Sequence, residues 1–533
     1  MNKQNAIGKE QIRLARETLS KYKAGKANLE ARIISNEQWW KGRNWEQIGD
    51  RGSSSDPKPS SAWLFNSIAN KHAEAMESFP EACVMPREES DLPEAELLTD
   101  ILPVIFELND YKRTYSDLWW SKLIYGTAVT GVFWSNGKTN GMGDVDVREI
   151  DLLNLYWEPG IKNIQSSRNL FNLSLEDNDV LAEKYPQLKG RLGTKDIAVT
   201  EYIYDDAVDT TDKSVVVDWY YKKPKNGRTL VHYCKFVGDE LLYASENDPY
   251  LCDRGWYDHG QYPFVFDKLY TMQGTPCGFG YIDIMRDTQT YIDRLNSVIL
   301  KNALASARVR YFVRGDGSVN EDEFSDTAKE LVHVSSSSLG EDSIRQIVNH
   351  PLSPVYTQIL NMKIDEMKET SSNRDFSQGS SVGGVTSGVA ITALQEAGNK
   401  IMRDMIGATY RGFAEVCGLV IELIRQFYTE PRSFRITGRD GAVVFMKYDN
   451  SGIAGTGDLF GDPVFDLKID TQRGAEYGRA AKNQTAQELY SMGFFDPENA
   501  RKALCALELM DFDGKNRVVE RITEGLHNDP RIV

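Results

Sequence analysis

Three stretches of the chain carry residue types at spacings that belong to known chemistry. GTPCGFG, from Gly274 to Gly280, is glycine-rich and runs into a helical pattern. Backbone N–H groups at a helix N-terminus can cradle a phosphate. The stretch lacks the Lys and the magnesium-binding hydroxyl of GxxxxGK[ST], and no strand-borne GxGxxG occurs either. It is read as a β-to-α turn. QGSSVGGVTSG, from Gln378 to Gly388, contains a formal GxSxG at Gly379 to Gly383. A nucleophile elbow follows a strand and needs an acid and then a His downstream. Here a helical tail precedes it, and only His527 follows. GDGSVNEDEF has acids without the alternation of an EF-hand loop. Glu321-Asp322-Glu323, like Asp205-Asp206, therefore reads as a solvated face or a helix N-terminal charge. No carboxylate spacing marks a nuclease. The expectation is a protein with no catalytic residues, no cofactor and no metal.

The pairs Trp39-Trp40 and Trp119-Trp120 could stack bases. Neighbours on a helix point about 100° apart. Each pair is therefore expected to wedge one ring inside and leave the other at an interface.

Length and composition narrow the class. The chain has 533 residues, 41% hydrophobic and 26% charged, as in ordinary globular proteins with two to four domains. No apolar run approaches the roughly 20 residues of a membrane span. The charged, helical N-terminus lacks the apolar core of a secretory signal, so the cytoplasm is the expected compartment. Six cysteines (Cys83, Cys234, Cys252, Cys277, Cys417, Cys505) form no CxxC pair, which suits reduced, mostly buried thiols. Net charge is −16. Proteins that grip nucleic acid through counterion release are usually basic, so stable DNA binding is disfavoured, whereas passage of DNA is not.

The periodicities set the elements in order. Residues 8–38 form an amphipathic helix leading into QWWKGRNW, then the polar loop RGSSSDPKPSS. A helix from Trp63 is expected to stop at Pro80, and one continuous helix to cover about 93–125. From about residue 127 to 270 the period shifts toward 2, with an Asn-Gly hairpin signal in KNGR, Lys225 to Arg228. Helix returns at Gly280. Ile284, Thr288, Tyr291, Leu295, Val298, Asn302 and Ala305 fall three or four apart and make one face mainly apolar. A short insert follows: strand VRYFVRGD, helix EDEFSDTAKEL, strand VHVSSSS. Pro351 and Pro354 open a second helix. After the Gly/Ser loop comes a helix of about 40 residues, roughly 60 Å long at 1.5 Å per residue. It holds Gly398, Gly407, Gly412 and Gly418, each costing about 1 kcal/mol against Ala, so close packing is expected along it. A β pair and a helical C-terminus complete the chain.

This order, more than any single residue, resembles the tailed-bacteriophage portal protein family, the head-to-tail connectors. QWWKGRNW, the NSIANKHAEAMESFP segment and YPFVFDKLYTMQGTPCGFGYIDIMRDTQTYIDRLNS add sequence likeness, and the resemblance covers most of the chain. It implies an α+β, mainly helical, portal-like subunit with wing, stem, clip and crown regions, assembling into a ring with a central channel. Residues 1–280 would be N-terminal helices and β-rich wing. The descending stem helix would be 281–307, the α/β clip 308–351 and the ascending stem helix 352–371. A tunnel loop at 372–387, a wing helix at 388–428, a wing β segment at 429–475 and a crown at 476–533 would follow.

The implied function is a channel at one capsid vertex for DNA packaging, retention and ejection. The implied partners are a homo-oligomeric ring of twelve, double-stranded DNA, the terminase motor, capsid and scaffold proteins and a head-tail adaptor, with no membrane. The implied location is the portal vertex of the virion, after assembly in the host cytoplasm. A ring of twelve would carry on the order of −190 at pH 7, before screening over ~8–10 Å, which suits passage better than grip. In the tunnel loop Gln378, Gly379, Ser380, Ser381, Gly383, Gly384 and Thr386 bring neither charge nor bulk. Arg374 and Asp375 at its root could make transient contacts with phosphates. In the clip, Arg308, Arg310 and Arg314 alternate along a strand and share a face, as a surface for motor or adaptor or as solubilising charge. Two further readings are a cytoplasmic, hydrolase-like enzyme with dispersed active-site residues, and another ring-forming viral tail or adaptor protein.

Overall fold

The computed structural model describes residues 7–49, 56–190, 192, 212–225, 227–307, 310–313, 320–326, 333, 344–347, 352–371, 400–437, 443–453, 463–473, 487, 489–494, 499–509, 518–519 and 522. The architecture is α+β. The first helix, Lys9–Trp40, lies on one face of a five-stranded antiparallel meander. Its Ile12, Leu19 and Tyr22 meet Phe171, Trp219 and Phe236. Side chains alternate faces along a strand. In the strand Lys213–Lys225, Val217, Trp219 and Tyr221 accordingly face that helix, while Val216 joins Leu181 and Leu188 on the opposite side. The KNGR signal holds: Lys225 pairs with Arg228 across the turn, and Gly227 has φ of 79°.

A second sheet has Thr127–Ser135 between Asp144–Glu149 and Phe264–Lys268. It belongs to the main core with the helices Trp63–Met76, Leu92–Leu108, Tyr111–Tyr125 and Lys400–Phe427. The single helix expected over 93–125 is two helices. The break falls at Asp110, whose φ of 49° is left-handed. Asn109 stabilises the break: its Nδ2 donates to Ile105 O (2.8 Å), and its Oδ1 accepts from Lys138 Nζ (2.6 Å) and Val147 N (3.1 Å). The helix from Trp63 ends at Met76 rather than at Pro80, which instead sits in the strand Ser78–Pro86. That strand pairs with Phe465–Arg473, so the last strand of the segment 429–475, where a local β pair was expected, is partnered from near the N-terminus. Only the hairpin Arg432–Thr437 with Val443–Tyr448 is local.

GTPCGFG runs through a turn into the short strand Gly278–Phe279, which pairs with Tyr270–Thr271, and its last glycine sits in tight backbone contact. A Cβ on Gly280 would lie 2.6 Å from Leu123 O, and one on Gly126 2.3 Å from the Phe279 carbonyl carbon. Backbone thus packs on backbone where the helix Tyr111–Tyr125 ends and the helix Tyr281–Ala307 begins. Of the cysteines, Cys234, Cys277 and Cys417 are buried, Cys83 and Cys252 half-buried, and Cys505 exposed; all are free thiols.

Candidate functional site

Two helices, Tyr281–Ala307 and Val355–Thr370, pack side by side and are joined at one end by an antiparallel β-ribbon, Arg310–Val313 with Ile344–Ile347. Burial divides the first helix. Tyr281, Ile282, Met285, Gln289, Ile292 and Asp293 are buried, and no residue after Asp293 is. In the second helix only Met367 is buried, near the end away from the ribbon. The pair therefore extends beyond the buried core for about 14 residues of the first helix, roughly 20 Å, with only polar ties to the body as far as Lys301.

The projecting part carries large apolar side chains in solvent. Val298, Leu300 and Leu304 (52% exposed) stand on the first helix; Val355, Tyr356, Ile359 and Met362 (68% exposed) stand on the second. Ile284, Tyr291 and Val298, which the period of three and four places on one apolar face, also point outward. Amphipathic helices normally turn that face to the core. Here it is turned away, and the core takes Tyr281, Ile282, Met285 and Ile292 instead.

A polar stripe holds this helix to the segment after QWWKGRNW. Gln289 Nε2 donates to Ser61 O (2.8 Å), Ser297 Oγ to Pro57 O (2.7 Å), and Lys301 pairs with Asp56 at 2.8 Å. Asp293 accepts from Asn44 Nδ2 (2.8 Å), Ser61 N (3.0 Å), Ser61 Oγ (2.8 Å) and Gln289 Nε2 (3.0 Å). Sequence inspection missed Gln289 and Asp293. Their spacing of four, polar inside an otherwise apolar half-helix, was the available signal.

The helix Lys400–Phe427 is anchored by charge. Lys122 Nζ, buried over the Trp119 ring at 4.5 Å, pairs with Asp267 at 2.9 Å and donates to Thr409 Oγ1 on that helix. Burial pushes the Lys122 ammonium below its usual range, and Asp267 opposes the shift. Close packing holds at Gly412, where a Cβ would meet Asp267 Cβ at 3.5 Å, and at Gly418, at 3.8 Å from Leu467; it does not hold at Gly407, which faces open space. At the far end Arg425 pairs with Asp258 at 2.5 Å, and Tyr428 donates to Asp144 at 2.7 Å.

Both tryptophan pairs split as expected. Trp39 and Trp119 are buried, while Trp40 and Trp120 are half-buried and meet each other at 5.2 Å. Phe65 and His72 extend the row at 5.0 and 3.8 Å.

In the ribbon region, Tyr311 packs edge-on against Phe324 at 4.9 Å, and Asn320 caps the short helix Glu321–Ser325. The described strand partner is Ile344–Ile347; of the expected strand VHVSSSS only His333 is described, and the remainder lies outside the described residues. The backbone of Arg310 pairs with Ile347, whereas its side chain, Arg308 and Arg314 lie outside the described residues. So do Arg374, Asp375, Gln378, Gly379, Ser380, Ser381, Gly383, Gly384 and Thr386. Among the described residues no group of three His, Cys, Asp or Glu is placed to hold a metal, and no helix is long and apolar enough to cross a membrane.

The described chain is thus an α+β body carrying a helix pair whose outer end is joined by a small β-ribbon. The family model described as Phage P22-like portal protein matches residues 74–531, and the chain belongs to that family. No curated protein matches it. The chain is thus a phage portal protein, a head-to-tail connector that serves DNA packaging.

Proposed function

We propose that twelve copies form a ring around a channel that passes double-stranded DNA. The ring would be built in the host cytoplasm and sit at the portal vertex of the virion. Residues 281–307 and 352–371 act as the stem, 308–351 as the clip that meets motor and adaptor, and 372–387 as the tunnel loop. Residues 388–428 and 429–475, with 1–280, make the wing, and 476–533 the crown. Arg308, Arg310 and Arg314 present the clip's cationic face. The loop from Gln378 to Thr386 slides on phosphates, with Arg374 and Asp375 at its root. If deleting 379–386 leaves both packaging and retention of DNA intact, the loop has another role.

The observation that carries the ring is the apolar surface of the projecting helix pair. Each such side chain gains on the order of 1–2 kcal/mol on burial, and contiguous exposed apolar surface marks an interface. In a family of portals the cover is a neighbouring copy. Native mass spectrometry and electron microscopy test this. Closed twelve-membered rings are expected for the natural chain and monomers for the Leu304→Glu, Met362→Glu double variant. A natural chain that stays monomeric at high concentration, or rings untouched by the double variant, would overturn the proposal.

A further inference from the structure

A cleft of about 830 Å³ opens between the two β-sheets and is lined by no residue of the projecting helices. One wall carries two groups of touching aromatic rings, drawn from three strands, one helix and the loop that holds Trp256. Tyr233 meets Trp256 at 5.0 Å, Trp256 meets Tyr243 at 5.4 Å, and Trp134 stacks on Phe427 at 4.7 Å and 9°. All five rings are half-buried, and Phe427 closes the helix Lys400–Phe427. Half-buried Tyr and Trp offer large, stiff contact area at low entropic cost, the composition of protein-binding surfaces.

The polar groups of the cleft select the ligand. Ser135, Asn136 and Asn172 line it, and none of their side chains hydrogen-bonds to a described residue. An amide side chain offers both a donor and an acceptor, which matches a peptide backbone. The acids are already engaged: Asp146 with Lys138 at 2.7 Å and Arg148 at 3.6 Å, and Asp218 with the Tyr233 hydroxyl at 2.6 Å. Lys184 has no ion pair with a described residue, and Arg148 is 60% exposed at the rim. On a chain of net charge −16, this mouth carries surplus positive charge.

We infer that the cleft docks an extended peptide segment of another protein, proline-rich or aliphatic at its centre and acidic at its flank. Aromatic grooves accept such segments through ring stacking, because proline holds them extended before binding. Single-stranded nucleic acid fits less well. It needs exposed ring faces along a basic track, whereas these rings sit in a concavity with only Arg148, already paired with Asp146, and Lys184 as the exposed cations of its lining.

The test is selection of displayed random dodecapeptides on the assembled natural protein, followed by anisotropy with the enriched peptides. Enrichment of acid-flanked proline or aliphatic sequences is expected. Trp256→Ala should weaken their binding at least ten-fold. The Arg148→Glu, Lys184→Glu double variant should do the same; both positions are solvent-exposed, so its thermal unfolding should match the natural protein. No enrichment, or peptides that bind both variants undiminished, would overturn the inference. So would a labelled dT12 oligonucleotide that binds and is lost in both variants while peptides do not bind.

Discussion

The carboxylate of Asp293 accepts both the backbone N–H and the hydroxyl of Ser61, at 3.0 and 2.8 Å, and is fully buried with no ion pair to a described residue. Four donors replace the water it has lost. The bond ties the projecting helix to the segment behind QWWKGRNW, which fixes where that helix leaves the body.

Asp293→Ala strands both Ser61 donors and takes one acceptor each from Asn44 Nδ2 and Gln289 Nε2, which keep Ser60 Oγ and Ser61 O. A loss of about 2–4 kcal/mol is expected, since each buried unpaired group costs about 1–3 kcal/mol and some will rehydrate. Urea unfolding gives the magnitude. Hydrogen exchange should quicken at residues 56–61 before it does in the sheets; uniform quickening would mean that the bond is not local to the strap.

The Lys122–Asp267 pair predicts an asymmetry between its two partners. Asp267→Ala leaves a buried ammonium with Thr409 alone and should cost about 3–5 kcal/mol. Lys122→Met leaves Asp267 with more access to water and keeps an apolar stem against Trp119, so it should cost less. Equal losses in chemical denaturation would show that the pair acts only through volume.

Glycine substitutions separate conformational strain from contact. Gly126 has φ of 85° and a backbone wall at 2.3 Å, while Gly160 has φ of 83° with nothing within 4 Å. Gly160→Ala should cost about 1 kcal/mol for the left-handed backbone. Gly126→Ala must also separate the two helices and should cost at least about 3 kcal/mol, or fail to fold. Comparable melting temperatures for the two variants would contradict the close approach.

Lys26 makes stability depend on alkaline pH. Its Nζ donates to the carbonyls of Leu152, Leu153 and Leu155, and burial lowers its pKa to about 8. Above that pH the folded chain releases a proton that the unfolded chain, with an ordinary lysine, keeps up to about 10.4. Stability from this group therefore rises with pH through that window, by at most about 1.4 kcal/mol per unit. Lys26→Met lacks the rise. The stability difference between natural chain and variant should grow in favour of the natural chain from pH 8 to 10, measured by denaturation at each pH.

Much of the element order was legible in the chain itself, because helix and strand periods, Asn-Gly at the turn and prolines at helix starts are local signals. The family likeness rested on that order, and the split of each tryptophan pair followed from helix geometry alone. Tertiary structure decided the rest. Ser78–Pro86 finds Phe465–Arg473 across nearly the whole chain, a pairing no local pattern specifies. The apolar face of Tyr281–Ala307 turns outward because Gln289 and Asp293 find buried donors on the other side. The aromatic cleft exists only because three strands, a helix and the loop around Trp256 converge. Sequence spacing encodes which side chains share a face, whereas the free energy of burying that face depends on what the remainder of the chain, or another copy, sets against it.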